Sequence, residues 1–143
     1  MTLSKKKREA LRMKFGGKCA YCGCELNQRW QADHIEPVRR ISRWERGIDG
    51  RTRLVYTGEM ERPENDREEN LVPSCSPCNN DKHAMSLEHW RRRLADLLGV
   101  CERNHSAYRH ALRFGLVKPQ PQPIVFYFER LNQSTLLSSK PLP

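Results

Sequence analysis

The residues with most chemistry to offer are cysteines. Four of the six fall in two matched pairs, Cys19-Ala20-Tyr21-Cys22 and Cys75-Ser76-Pro77-Cys78. Two residues between thiols let one tight turn present both sulfurs to one ion. Two such turns complete the tetrahedral set of four thiolates that suits Zn²⁺. Free thiols or a redox pair are the alternatives, and a second matched pair weighs against both. Four thiolates leave no open coordination position, so this ion is structural and not a catalyst. Cys24 and Cys101 are left over and read as packed or bystander thiols.

A second group of candidates lies between and just after the pairs: Asp33-His34-Ile35, Asn70-Leu71, and Asn79-x-x-Lys82 followed by His83. Phosphodiester hydrolysis needs a base for the attacking water and a cation at the phosphate. An imidazole with an ordinary pKa of about 6.5 is a usable base at neutral pH, which suits His34. Carboxylate and amide oxygens are hard ligands that favour Mg²⁺ or Mn²⁺, which suits Asp33 and Asn79. On a regular strand Asp33 and His34 point to opposite sides, so the strand must bend or end there for both to serve one site. Pro37 makes an early end plausible, and the alternative is a strand-end pair satisfied by local hydrogen bonds. His83, one helical turn after Asn79, is open to three readings: metal ligand, phosphate contact or surface histidine. As a ligand it would widen tolerance toward Mn²⁺, Co²⁺ or Ni²⁺. Lys82 is either a phosphate contact near a helix start or a solvated lysine.

The order knuckle, Asp33-His34, Asn70, knuckle, Asn79-x-x-Lys82 resembles the HNH endonuclease family over roughly residues 15 to 98. Asn79 comes nine residues after Asn70 with Cys75 and Cys78 between them, as in the zinc-clamped branch, and it stands where the last histidine is expected, an H-N-N variant. The resemblance implies a small α+β fold, a ββα-metal (His-Me finger) core clamped by a four-cysteine zinc site with flanking helices. It also implies roles: His34 as general base, Asp33 and Asn79 as ligands of a catalytic Mg²⁺ or Mn²⁺, and Asn70 as the side chain that ties a loop so that His34 keeps its orientation. Asn70 is otherwise an ordinary turn asparagine, and Asn65 or Asn80 is the aligned residue if the register differs. The implied products carry 5′-phosphate and 3′-hydroxyl ends. With 35 residues between His34 and Asn70, the spacer is longer than is usual in the family.

The elements that must position these residues follow from periodicity and breakers. Residues 4–15 read as a basic helix with Ser4 as N-cap and Gly16-Gly17 as its stop, its Lys5-Lys6-Lys7-Arg8 run facing phosphate. Residues 32–35 and 70–74 read as short strands. Asn79 to Leu98 reads as one helix, with Ala84, Leu87, Trp90, Leu94 and Leu97 at three- and four-residue steps and Gly99 after it. Residues 104–114 read as another helix, Lys118 to Pro123 as an extended spacer, Ile124 to Phe128 as a strand, and 132–143 as a frayed polar tail. About 39–66 is an Arg-rich, exposed insertion within a core at 1–100, with Arg53 to Thr57 a candidate strand in it; 101–143 is a helix-strand extension outside the resemblance.

In 143 residues, 26 Lys and Arg face 17 Asp and Glu, a net charge of +9. Mean hydropathy is −0.83, and no apolar run approaches the roughly 18 residues of a membrane span. The basic start has no apolar segment behind it, so a cytoplasmic, reducing setting without a membrane partner is expected. The excess charge points to nucleic acid, with Arg39, Arg40, Arg43, Arg91, Arg92 and Lys82 as contacts and double-stranded DNA the first candidate. No helix shows a base-reading pattern, so weak sequence preference is expected. A divalent-metal DNA endonuclease that nicks as a monomer is the reading. A non-catalytic zinc-knuckle DNA-binding module and an RNA-directed nuclease are the alternatives. A homodimer, or a protein partner through 39–66 or 101–143, is compatible with the sequence.

Overall fold

A computed structural model describes residues 3–138, leaving 139–143 of the expected polar tail outside them. The chain is a small α+β protein that divides into two compact units, Met1–Ser86 and Leu87–Pro143.

In the first unit, helix α1 (Lys5–Met13) starts at Ser4, whose hydroxyl accepts the Lys7 N–H. Gly16 and Gly17 close it with φ of 61° and 76°, a conformation that costs glycine least. Three cations of α1, and Lys14 just after it, bind the protein itself. The Arg8 guanidinium lies 4.2 Å over the Trp30 ring and donates to the Trp30 carbonyl at 2.9 Å. Arg12 donates to the carbonyl of Leu26, Lys14 to that of Leu71, and Lys7 pairs with Glu68. The expected phosphate-facing run is therefore corrected for Lys7 and Arg8, which hold the helix to its own domain.

Strand β1 (Gln31–His34) pairs antiparallel with a strand much later in the chain, Leu71–Ser74, with Ala32 opposite Pro73 and His34 opposite Leu71. Between them the expected insertion is a hairpin of its own, β2 (Arg39–Arg46) against β3 (Thr52–Glu61), with no fully buried residue in either strand. Leu71–Ser74 is thus β4, and the described residues form two separate two-stranded sheets. Every residue of β4 is buried, as a strand covered on both faces must be. Helix α2 (Ser76–Lys82) follows at once and packs by β1. Cys19, Ala20, Tyr21, Leu26, Trp30, Leu71 and Val72 form a small core around this strand pair and the first knuckle.

The single helix expected over Asn79 to Leu98, with Gly99 as its stop, is broken twice, at His83 and at Asp96. Chain direction changes at His83, whose φ of 48° and ψ of −131° cannot continue a helix. A new helix, α3 (Leu87–Ala95), opens the second unit, followed by α4 (Leu97–Asn104) and α5 (Ser106–Arg113). The apolar steps continue across both breaks, so periodicity alone merges three helices, and Gly99 lies inside α4, not at the helix end expected of it. The expected strand at Ile124 to Phe128 is also corrected. Helix α6 (Tyr127–Ser138) begins inside it, because the Glu129 carboxylate accepts the Phe126 N–H at 2.9 Å, half of a capping box. Phe126 stacks on Trp90 at 5.1 Å between centroids, and both are 2% exposed, so they make the core of this unit.

Candidate functional site

The two knuckles meet. The Sγ atoms of Cys19, Cys22, Cys75 and Cys78 all lie within 4.8 Å of one another, and those of Cys22 and Cys75 are 3.8 Å apart. A tetrahedron built on Zn–S bonds of about 2.3 Å has an edge of about 3.8 Å, so four soft donors are set at the spacing that Zn²⁺ requires. Local structure explains the placement. In the first knuckle Gly23 N–H donates to the Cys19 carbonyl and Cys19 N–H to that of Cys24. In the second, Cys75 is the N-cap of α2 and Cys78 sits in its first turn. The first knuckle rests on β4 through Ala20 N–H to the Pro73 carbonyl, and Cys75 N–H donates to Cys19 Sγ at 3.4 Å. The hydrogen bond that links Cys78 to Cys19 lowers the Cys19 pKa and raises that of the Cys78 thiol. Cys24 is exposed and outside the four.

Beside this clamp an open cleft of about 430 Å³ is lined by Asp33, His34, Arg39, Arg40, Asn79, Asn80 and His83, among others. Of the residues singled out for phosphodiester chemistry, Asp33, His34, Asn79 and His83 therefore line one concavity, and Asn70 and Lys82 do not. Strand β1 ends at His34, and both Asp33 and His34 line this opening. His34 Nε2 is 2.9 Å from Asp66 Oδ1. Nε2–H donating to this carboxylate leaves Nδ1 as the nitrogen with a lone pair. Asp66, in the turn after β3, is a residue that sequence reasoning missed. Its only signal is a carboxylate in a Pro63-Glu64-Asn65-Asp66 turn, 32 positions from His34.

Asn70 is 7% exposed and fully engaged. Its Oδ1 accepts the Glu36 N–H at 2.9 Å, its Nδ2 donates to the carbonyls of Glu36 and Asn65, and its own carbonyl accepts the Ile35 N–H. It thus ties the chain leaving His34 to the turn that carries Asp66.

Asp33 is 8% exposed, and its Oδ2 accepts the Tyr21 hydroxyl at 2.6 Å and lies 3.2 Å from Lys82 Nζ. Burial, then the charge and hydrogen bond of Asp33, push the Tyr21 hydroxyl pKa well up. Lys82 is 0% exposed and also donates to the His34 carbonyl at 2.6 Å. The expectation that Lys82 touches phosphate is corrected: it sits at the buried end of α2 and is committed to Asp33 and β1. Asn79 Nδ2 donates to Gln31 Oε1, which leaves its Oδ1 to ligate. His83 is exposed on the cleft beyond the helix end.

The donor set decides what cation fits here. Among the described residues no second group of three His, Cys, Asp or Glu is close enough to hold an ion by itself. A hard ion would use the oxygens of Asp33 and Asn79 with the rest of its shell from water and phosphate, the usual manner of Mg²⁺. Of the expected nucleic-acid contacts, Arg39 and Arg40 are on the cleft; Arg39 also pairs with Glu61 at 3.7 Å and Arg43 with Glu45 at 2.6 Å. Arg91 is corrected. It makes two hydrogen bonds to the Glu129 carboxylate and stacks 4.5 Å over Phe126, so it is a structural cation of the second unit, on which Arg92 is exposed. No helix among the described residues is long and apolar enough to cross a membrane. No family model, no curated protein and no solved structure matches this chain.

Proposed function

We propose that the first unit is a zinc-clamped ββα-metal nuclease of the HNH type, an endonuclease that hydrolyses phosphodiester bonds in DNA with a divalent cation. The observation that carries this reading is the shared cleft: an imidazole with a half-buried carboxylate behind it, a carboxylate and an amide beside it, and arginines on its rim. His34, with Nε2–H on Asp66, takes a proton from water at Nδ1, and Asp66 stabilises the imidazolium that forms. Asp33 and Asn79 would hold Mg²⁺ or Mn²⁺, which supplies positive charge at the scissile phosphate and the departing 3′-oxygen. Arg39 and Arg40 attract and orient the phosphate backbone. One such site cuts one strand, so a single copy nicks. Supercoiled plasmid incubated with Mg²⁺ or Mn²⁺ is expected to give relaxed circles, and His34→Ala to abolish them while DNA binding persists; relaxation by His34→Ala equal to wild type would overturn the proposal.

One observation favours a rival, the zinc-knuckle DNA-binding module without turnover. The Asp33 carboxylate is already neutralised by Lys82 and bonded by Tyr21, which weakens its pull on a second cation. Its other oxygen carries the nuclease reading. Failure of every divalent ion to support relaxation, with duplex binding intact, would select the binder. Cleavage of RNA alone would select the RNA-directed enzyme.

A further inference from the structure

The β2–β3 hairpin has two unlike faces. Residues directly opposite in an antiparallel pair share a face and successive residues alternate. Ser42 pairs with Tyr56, Trp44 with Leu54, and Arg46 with Thr52, so these six form one face; Arg43 with Val55 and Glu45 with Arg53 form the other. On the second face Arg43 and Glu45 are joined in an ion pair. The six residues of the first face include no carboxylate. It presents Trp44, Leu54 and Tyr56 at 71%, 57% and 45% exposure, flanked by two hydroxyls and the Arg46 guanidinium. Large aromatic and aliphatic side chains left in water on one face of a bare ribbon mark a surface built to meet something.

We propose that this ribbon grips duplex DNA, with the Trp44 face seated in the major groove. The inference rests on the reading of the cleft as a phosphodiester site and names the element that holds its substrate. Three observations favour duplex DNA. The ribbon rises from Arg39 and Arg40 at the cleft rim, so a backbone lying in the cleft runs past its base. Its docking face carries positive charge without negative charge, which complements a polyanion. A two-stranded ribbon also fits a major groove about 12 Å wide. The 8 residues of β2, at about 3.4 Å each, match the rise of about eight base pairs. Thr52 and Ser42 hydroxyls and Arg46 can meet base edges, and the apolar side chains can meet thymine methyl groups.

Fluorescence anisotropy with a short duplex, on the full chain, tests this against hydrolysis of bis(p-nitrophenyl) phosphate, a diester too small to reach the ribbon. Trp44→Ala, and separately Ser42→Glu with Thr52→Glu, which adds charge without removing packing, are expected to weaken duplex binding about tenfold or more. Val55→Ser on the opposite face is expected to bind like wild type, and all variants to keep wild-type zinc content, circular dichroism and small-diester hydrolysis. Wild-type binding by both Trp44-face variants, an equal loss from Val55→Ser, or a loss confined to single strands would overturn the proposal. The two readings fail separately. Absence of diester hydrolysis in wild type, with the face-specific binding loss retained, sinks the nuclease and leaves the ribbon; hydrolysis with no face-specific loss does the reverse.

Discussion

Lys82 and Asp33 show how a residue that reads as surface becomes interior. A lysine three residues after Asn79 in a basic, polar stretch carries no apolar signal, and only the fold reveals that its ammonium is enclosed by β1 and the Tyr21 ring. Removing one partner of a buried pair leaves the other charge unpaired, so Lys82→Ala is expected to lower stability by about 3 kcal/mol in urea unfolding. A change below about 0.5 kcal/mol, ordinary for a surface site, would contradict the burial. Tyr21 adds a pH dependence of known sign. Its folded pKa is raised, so its contribution is complete below the unfolded value of about 10 and declines above it, as the unfolded chain gives up a proton that the folded chain keeps. Stability should fall as pH climbs past about 10, and Tyr21→Phe should flatten that fall. In the proposed mechanism Asp66, hydrogen-bonded to His34, acts through it. Asp66→Asn keeps the shape and loses the charge behind the imidazole, so kcat for plasmid nicking should drop tenfold or more, with KM within about twofold. A loss carried by KM instead would make Asp66 a substrate contact.

At the scale of elements, the short helices and strands near the cysteines are legible because local rules dominate there. Ser4 caps α1, the glycines end it, and β1 and β4 fall where Ala32 to Ile35 and Asn70 to Ser74 read as extended. Two knuckles require that those strands meet. What is not legible depends on single backbone angles or distant partners. His83 ends α2 by a positive φ that no periodicity records, and Glu129 starts a helix within an apolar run that reads as a strand. Of the hairpin at 39–61 only Arg53 to Thr57 reads as a strand, within β3; β2 reads as charge without shape, since its period-2 pattern has no buried face to make it readable. The clamp bears the greatest energetic demand, because the core around it is small. Structural zinc is worth on the order of 10 kcal/mol in small peptides, so zinc stripping with a strong chelator should abolish the folded circular dichroism of the first unit. A native spectrum at full zinc loss would contradict it.

The whole molecule is a cation of +9 in which many cations have internal duties. Lys7, Arg8, Arg12, Lys14, Lys82 and Arg91 serve the fold, so net charge overstates the binding surface. The affinity for duplex should still fall steeply with salt, each phosphate contact adding about 0.9 to the slope of log K against log salt. Arg40→Ala should reduce that slope by about one, whereas Arg91→Ala should reduce stability and leave the slope unchanged. The proposed function stands on Asp33, His34 and Asn79 working as one hydrolytic pocket on a hard cation. Its most direct test is the single-turnover cleavage rate of a labelled duplex across a Mn²⁺ titration, for the zinc-loaded protein and for Asn79→Ala at equal zinc content. Cleavage is expected to require Mn²⁺ and, in Asn79→Ala, to be both slower and saturated only at much higher Mn²⁺. Identical titration curves for the two proteins, or cleavage indifferent to added Mn²⁺, would contradict it.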